Sequence, residues 1–169
     1  LPLALQDGAA LAERAHGAQC LVYAINPVYT RWPQDLLPFA RLGMAIAERL
    51  QARLVLPGNV YNHGEHMPPR LLPGTPMQPT TRKGALRVQL EDELRQAAAR
   101  GRLQARVIRA GDFYGDGPGS VGTWLDLAIA KDLRRGRLVY PGPLDVPHAW
   151  AYLPDLAQAF VAAASRPQA

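Results

Sequence analysis

Lys83 and Arg87 stand four residues apart in the run Thr81 to Arg100, TRKGALRVQLEDELRQAAAR, with Gly101 just beyond it. Such a run reads as a helix stopped by glycine, and helical residues four apart share a face. Two cations on one face disfavour the protonated lysine, which would make Lys83 a usable acid or base near neutral pH. Arg87 is a fixed cation, suited to the oxygens of a ribose or a phosphate. The competing reading of Lys83 is a solvated lysine on the first turn of a helix.

Other polar side chains follow short apolar runs. Asn26 closes CLVYAI, Asn59 and Tyr61 follow RLVLPG, and Asp112 follows ARVIRAG. Tyr61 and Asp112 are alternatives to Lys83 for proton transfer. His148, beside Trp150 and Tyr152, suits a neutral or aromatic ligand, against the plainer reading of a partly buried histidine. His63-x-x-His66 with Glu65 lies in a loop without fixed geometry and offers an incomplete ligand set, so no metal is expected. Cys20, the single cysteine, reads as a small buried residue and excludes an internal disulfide.

The elements that must position these groups alternate. Asp7 is expected to cap a first helix that ends near Gly17. Cys20 to Ile25 reads as a strand buried on both faces, Arg53 to Pro57 as a second buried strand and Ala105 to Ala110 as a third strand. Helices are expected over Gln34 to Leu50, with Leu37, Ala40, Leu42, Met44, Ala45, Ala47 and Leu50 on the apolar stripe, and over Thr81 to Arg100. Gly58 to about Thr80 reads as a long loop, and GDFYGDGPGS as a glycine-rich one. A helix over Gly122 to Arg135, a strand over Arg137 to Tyr140 and a helix from about Pro154 to Ser165 complete the expected order.

Strands separated by helices imply an α/β fold, a parallel sheet covered on both faces. Ligands bind at the carboxyl ends of such strands. The segments facing a ligand are therefore Ile25 to Thr30, which includes Tyr29, Pro57 to Tyr61, and Ala110 to Tyr114.

The 169 residues suffice for one domain, and 48% apolar with 20% charged is an ordinary composition for a globular chain. No apolar run is long enough to span a bilayer, so no membrane partner is expected. The net charge of +5 is spread along the chain rather than gathered, so nucleic acid is not expected either. The lone cysteine suits a reducing cytoplasm. LPLALQDGAA carries neither a basic leader nor an initial Met, and reads as the cut edge of a longer chain.

LVLPGNVYNHG, VIRAGDFYGDGPG and HAWAYLPDLAQAFVAA together resemble, in order, three segments of the NAD-dependent epimerase/dehydratase family of extended short-chain dehydrogenases. The first resembles the strand that ends in a serine cluster before Val-Tyr-Gly. The second resembles Val-Leu-Arg-x-x-Asn-Val-Tyr-Gly-Pro-Gly, and the third the late Val-His-Val-x-Asp-Leu-Ala segment. The resemblance implies a Rossmann-like, doubly wound parallel sheet, present here as residues 1–169 of a partial NAD(P)-binding domain. The family's glycine-rich fingerprint, whose backbone amides approach the pyrophosphate, is expected upstream of Leu1, and its substrate region beyond Ala169.

The resemblance also implies where the catalytic Ser, Tyr and Lys should fall, and all three positions are changed. Lys83-x-x-x-Arg87-x-x-x-Glu91 occupies the Tyr-x-x-x-Lys frame, and Pro57 the serine position. Asp112 stands where the family has a substrate-contacting Asn, and His148 where nucleotide-sugar enzymes have an Arg. Ile25, Asn26, Pro57, Asn59, Arg87, Ala110 and Gly111 would face the NAD or NADP, and Tyr29, Asp112 and His148 the small-molecule substrate. A homodimer is compatible with this reading. The alternative is a non-catalytic dinucleotide-binding module of the NmrA-like redox-sensor type.

Without the glycine-rich loop, the isolated chain is expected to bind NAD(P) weakly or not at all. Calorimetry on the chain alone checks this, and micromolar affinity would refute it.

Overall fold

The computed structural model describes residues 7–115 and 123–166. Residues 1–108 and 109–169 form two compact units.

In the first unit, α1 (Gly8–Arg14) starts where the Asp7 carboxylate accepts a hydrogen bond from the Ala10 N–H at 3.0 Å. It is followed by β1 (Cys20–Val22), α2 (Trp32–Leu50), β2 (Arg53–Gly58), α3 (Arg82–Ala99) and β3 (Ala105–Arg109). The strands lie in one sheet in the order β1-β2-β3, as the alternation of elements predicts. β1 and β2 are parallel, with Cys20 opposite Arg53 and Val22 opposite Val55. The Leu54 N–H donates to Gln104 O at 2.7 Å, tying β2 to the chain that leads into β3.

Leu54, Val55 and Leu56 of β2 are 2% exposed or less, so this strand is buried on both faces as expected. Trp32, Leu36, Ala40 and Ala47 of α2 and Leu90, Leu94 and Ala97 of α3 share its core cluster. Fully burying each leucine contributes on the order of 1.5–3 kcal/mol.

Three expectations need correction here. β1 stops at Val22 rather than Ile25, and Val22 and Ile25 are exposed because no described strand pairs beyond β1. Cys20, on that edge strand, is only half-buried. The apolar stripe of α2 runs through Trp32, Leu36, Ala40, Gly43 and Ala47, whereas Ala45 faces out. The i, i+4 spacing from Trp32 sets this phase, and the helix begins two residues earlier than its apolar pattern suggests.

The long loop after β2 is fastened at several points. It opens with a 3-10 turn, Tyr61–His63, whose Asn62 and His63 are buried. The Asn62 amide donates to the Met77 sulfur at 3.2 Å, and His63 Nδ1 to Pro76 O at 3.1 Å. Thr81 then caps α3, its hydroxyl accepting from the Gly84 N–H at 3.0 Å. A Cβ on Gly84 would lie 2.4 Å from Tyr61 O and 2.9 Å from Pro79 Cβ. Only glycine lets the first turn of α3 press against the Tyr61 turn.

In the second unit, β4 (Asp112–Tyr114) pairs in parallel with β5 (Trp150–Tyr152), Asp112 opposite Trp150 and Tyr114 opposite Tyr152. α4 (Leu153–Ser165) follows directly, with Pro154 in its first turn. The helix expected over Gly122 to Arg135 is replaced by a π turn, Leu125–Ile129, and a 3-10 turn, Leu133–Arg135 (Gly122 itself lies outside the described residues). The strand expected over Arg137 to Tyr140 is absent. Gly136, in the left-handed region at φ +70°, turns the chain away, and Pro141, Pro143 and Pro147 keep the following stretch irregular. Of the glycine-rich loop, residues 116–120 lie outside the described residues. Among the described residues, no helix is long and apolar enough to cross a membrane.

Gly84→Val is expected to lower stability by about 1–3 kcal/mol, the usual cost of overpacking. Gly74→Val, where a Cβ would meet no atom within 4 Å, should change it by less than ~0.5 kcal/mol. Urea denaturation of the two variants makes the comparison, and equal midpoints would contradict the close contact.

Candidate functional site

The first unit gathers its candidate residues around one indole. Trp32, at the start of α2, is 1% exposed, and its Nε1–H donates to Pro27 O at 2.9 Å. Tyr29 stacks on it with centroids 5.0 Å apart and planes at 17°, while Tyr61 tilts against it at 6.3 Å. The Tyr29 and Tyr61 hydroxyls are 3.2 Å apart and hydrogen-bonded. Asn59 holds the Tyr61 backbone, its Oδ1 accepting from the Tyr61 N–H at 3.1 Å.

Lys83 and Arg87, one turn apart on α3, both reach this aromatic group. The Lys83 ammonium sits 4.0 Å from the Tyr29 centroid and 5.8 Å from that of Trp32. The Arg87 guanidinium lies 4.8 Å over Trp32, and its Nη1 donates to Pro57 O at 3.3 Å. Each cation is thus held by the negative face of a ring. Pro57 contributes its backbone carbonyl to this group.

Burial pulls the Arg87 guanidinium down from its ordinary range, opposed by Tyr29, Glu91, Tyr23 and Tyr61. Tyr23, on the chain leaving β1, is 5% exposed, and burial pushes its phenol up to about 12, against the opposing pull of Arg87. The Tyr23 hydroxyl and Arg87 Nε are buried without a hydrogen-bond partner in the protein.

Of the residues expected at the cofactor, Pro57, Asn59 and Arg87 belong to this group. Ile25 and Asn26 lie on the exposed stretch between β1 and Tyr29. His63 is turned to Pro76 O, and His66 is exposed beside Glu65 at 3.6 Å. Among the described residues, no three metal-ligating side chains gather.

The second unit holds Ala110, Gly111, Asp112 and His148. A Cβ on Gly111 would fall 2.1 Å from Ala149 O, so the strands meet backbone to backbone, and the Asp112 N–H donates to that carbonyl at 3.1 Å. This contact brings Asp112 to His148, whose Nε2 is 2.7 Å from Asp112 Oδ2. His148 Nδ1 is 3.0 Å from the Tyr140 hydroxyl. The imidazole packs against two indoles, 4.6 Å from Trp150 and 5.5 Å from Trp124, which are themselves 6.3 Å apart.

The sequence reading did not single out Trp32, Tyr23, Trp124 or Tyr140 for the site. The available signal was aromatic density, as in Tyr29-x-x-Trp32 and Tyr140 to Trp150.

Neither a family model nor a curated protein matches this chain. Solved structures do. L-threonine dehydrogenase from Clostridium difficile aligns at TM-score 0.78 and 19% identity, covering 99% of this chain and 56% of the other. Thermus thermophilus UDP-glucose 4-epimerase, in complex with NAD, aligns at 0.75 and 16%, covering 98% and 60%. Bacillus anthracis dTDP-glucose 4,6-dehydratase, also in complex with NAD, aligns at 0.79 and 13%, covering 99% and 55%. The fold is Rossmann-like. The chain spans between 55% and 60% of the length of these three structures. In a Rossmann-like sheet ligands lie beyond the carboxyl ends of the strands, and that is where β2 delivers Asn59 and Tyr61.

A buried phenol pushed up to about 12 has a consequence for stability. Below pH ~10 both folded and unfolded chains keep a neutral tyrosine. Between there and about 12 only the unfolded chain ionises, so stability falls as pH rises. Tyr23→Phe should flatten this alkaline loss, as read from denaturation midpoints at pH 9 to 11.5. An unchanged slope would mean that Tyr23 does not carry it.

Proposed function

We propose that this chain is part of an NAD(P)-dependent enzyme of the epimerase/dehydratase or reductase kind, in which Pro57, Lys83 and Arg87 replace the family's Ser, Tyr and Lys. The observation that carries the reading is the single α3 face that sets Lys83 and Arg87 against Tyr29, Trp32 and Tyr61. The NAD-bound epimerase and dehydratase of like fold support it, as do the three sequence segments that resemble the family.

The residues present fit a dinucleotide. Arg87 has a buried Nε without a protein partner, a donor for a ribose or phosphate oxygen. Pro57 and Asn59 would line the same edge, with Ile25 and Asn26 from the neighbouring strand end. The dinucleotide would supply a hydride acceptor or donor. The chain's own residues would bind and orient. The Lys83 ammonium brings positive charge beside the Tyr29–Tyr61 hydroxyl pair, where it would stabilise charge developing on a ligand oxygen. A small-molecule substrate and a cytoplasmic setting belong to the same reading.

A non-catalytic dinucleotide-binding module is the second reading. Pro57 favours it, since the side chain at the serine position carries no exchangeable proton.

Arg87→Ala in the full-length protein is expected to weaken NAD(P) binding about tenfold or more under either reading, measured by calorimetry. Lys83→Ala should abolish turnover, followed as NAD(P)H absorbance, if Lys83 is the acid or base. Binding unaffected by Arg87→Ala would refute the cofactor role. An active protein whose Lys83→Ala variant keeps its rate would remove Lys83 from the mechanism.

A further inference from the structure

The hydrogen bonds of His148 have a fixed direction. Ionised Asp112 can only accept, so His148 Nε2 carries a proton toward it at 2.7 Å. In the neutral imidazole Nδ1 is then the acceptor, and the Tyr140 O–H donates to it across 3.0 Å. The ring packs nearly parallel to Trp150 and Trp124, at 21° and 15°. Tyr140 is in turn set edge-on to Trp124, at 5.9 Å and 84°. The phenol oxygen therefore spends its proton inward and keeps lone pairs for a further donor.

We infer that Asp112, His148 and Tyr140 form a proton relay, with Tyr140 as the acid/base toward the hydroxyl or carbonyl oxygen of a substrate. As base, the Tyr140 oxygen takes the ligand's O–H proton while its own proton passes to His148 Nδ1, leaving an imidazolium paired with the Asp112 carboxylate. A bound nicotinamide, the class of acceptor this step needs, would take up the hydride released from the adjacent C–H bond. In the reverse direction the imidazolium returns its proton to Tyr140, which protonates the ligand oxygen. Tyr140 is the catalytic residue of this set, while His148 and Asp112 act through it. The inference rests on the dinucleotide reading for the hydride acceptor alone.

Two measurements test it. In the free protein with 15N-labelled histidine, NMR should show His148 with a protonated Nε2 and an accepting Nδ1. Tyr140→Phe, which keeps the ring against Trp124, should shift the Nδ1 resonance, and Asp112→Asn should raise the share of the other tautomer. A protonated Nδ1 in the neutral wild-type ring, or a His148 spectrum indifferent to Tyr140→Phe, overturns the relay. In NAD(P)-linked assays of the full-length protein, Tyr140→Phe and His148→Gln should lower kcat about 100-fold or more, with KM within about threefold. A Tyr140→Phe variant that keeps its rate overturns the catalytic role. Absence of any NAD(P)-linked turnover in the wild type would instead sink the dinucleotide reading, and the relay would then be judged by the histidine spectrum alone.

Discussion

The Trp32 indole belongs at once to the first unit's candidate site and to its core. One side of it joins Leu36, Leu54 and Leu90 in the apolar cluster. Its other contacts carry Tyr29, Tyr61 and the Arg87 guanidinium, and its N–H is fixed on Pro27 O. Removing so large a buried ring costs on the order of 3–5 kcal/mol in a packed core. Here the same loss would also leave a buried cation without the ring that faces it. Stability and site geometry therefore cannot be varied separately at this position.

The second unit solves a similar problem with different means. A three-residue strand pair has little strength of its own, and α4 contributes no fully buried residue. What holds these residues together is the backbone contact of Gly111 with Ala149 and the cluster of His148 with Trp124 and Trp150. Ring on ring supplies the order that extended strands supply around β2.

Much of the first unit was legible in the sequence. RLVLP reads as a buried strand, Thr81 and Gly101 bracket α3, and the spacing of Lys83 and Arg87 puts them on one face. Trp32 escaped because the apolar count for α2 began at Gln34, inside a helix whose first buried residue precedes Pro33. The second unit was less legible. Its strands, DFY and WAY, are shorter than any apolar run that periodicity can detect. The tendency of LDLAIAKDLRR to form a helix lost to Gly136 and the prolines after it. The partnership of Asp112 with His148 is non-local, and local spacing could not show it.

The Asp112–His148 bond and the Tyr140–His148 bond are anchored in different kinds of structure. Asp112 lies on β4, and His148 adjoins the Ala149 carbonyl that β4 grips. Tyr140 comes from the irregular stretch between the 3-10 turn and β5. The two halves are thus separable units of change. Insertions or substitutions before Pro147 can replace the group presented to Nδ1 without disturbing the strand register that aims the imidazole.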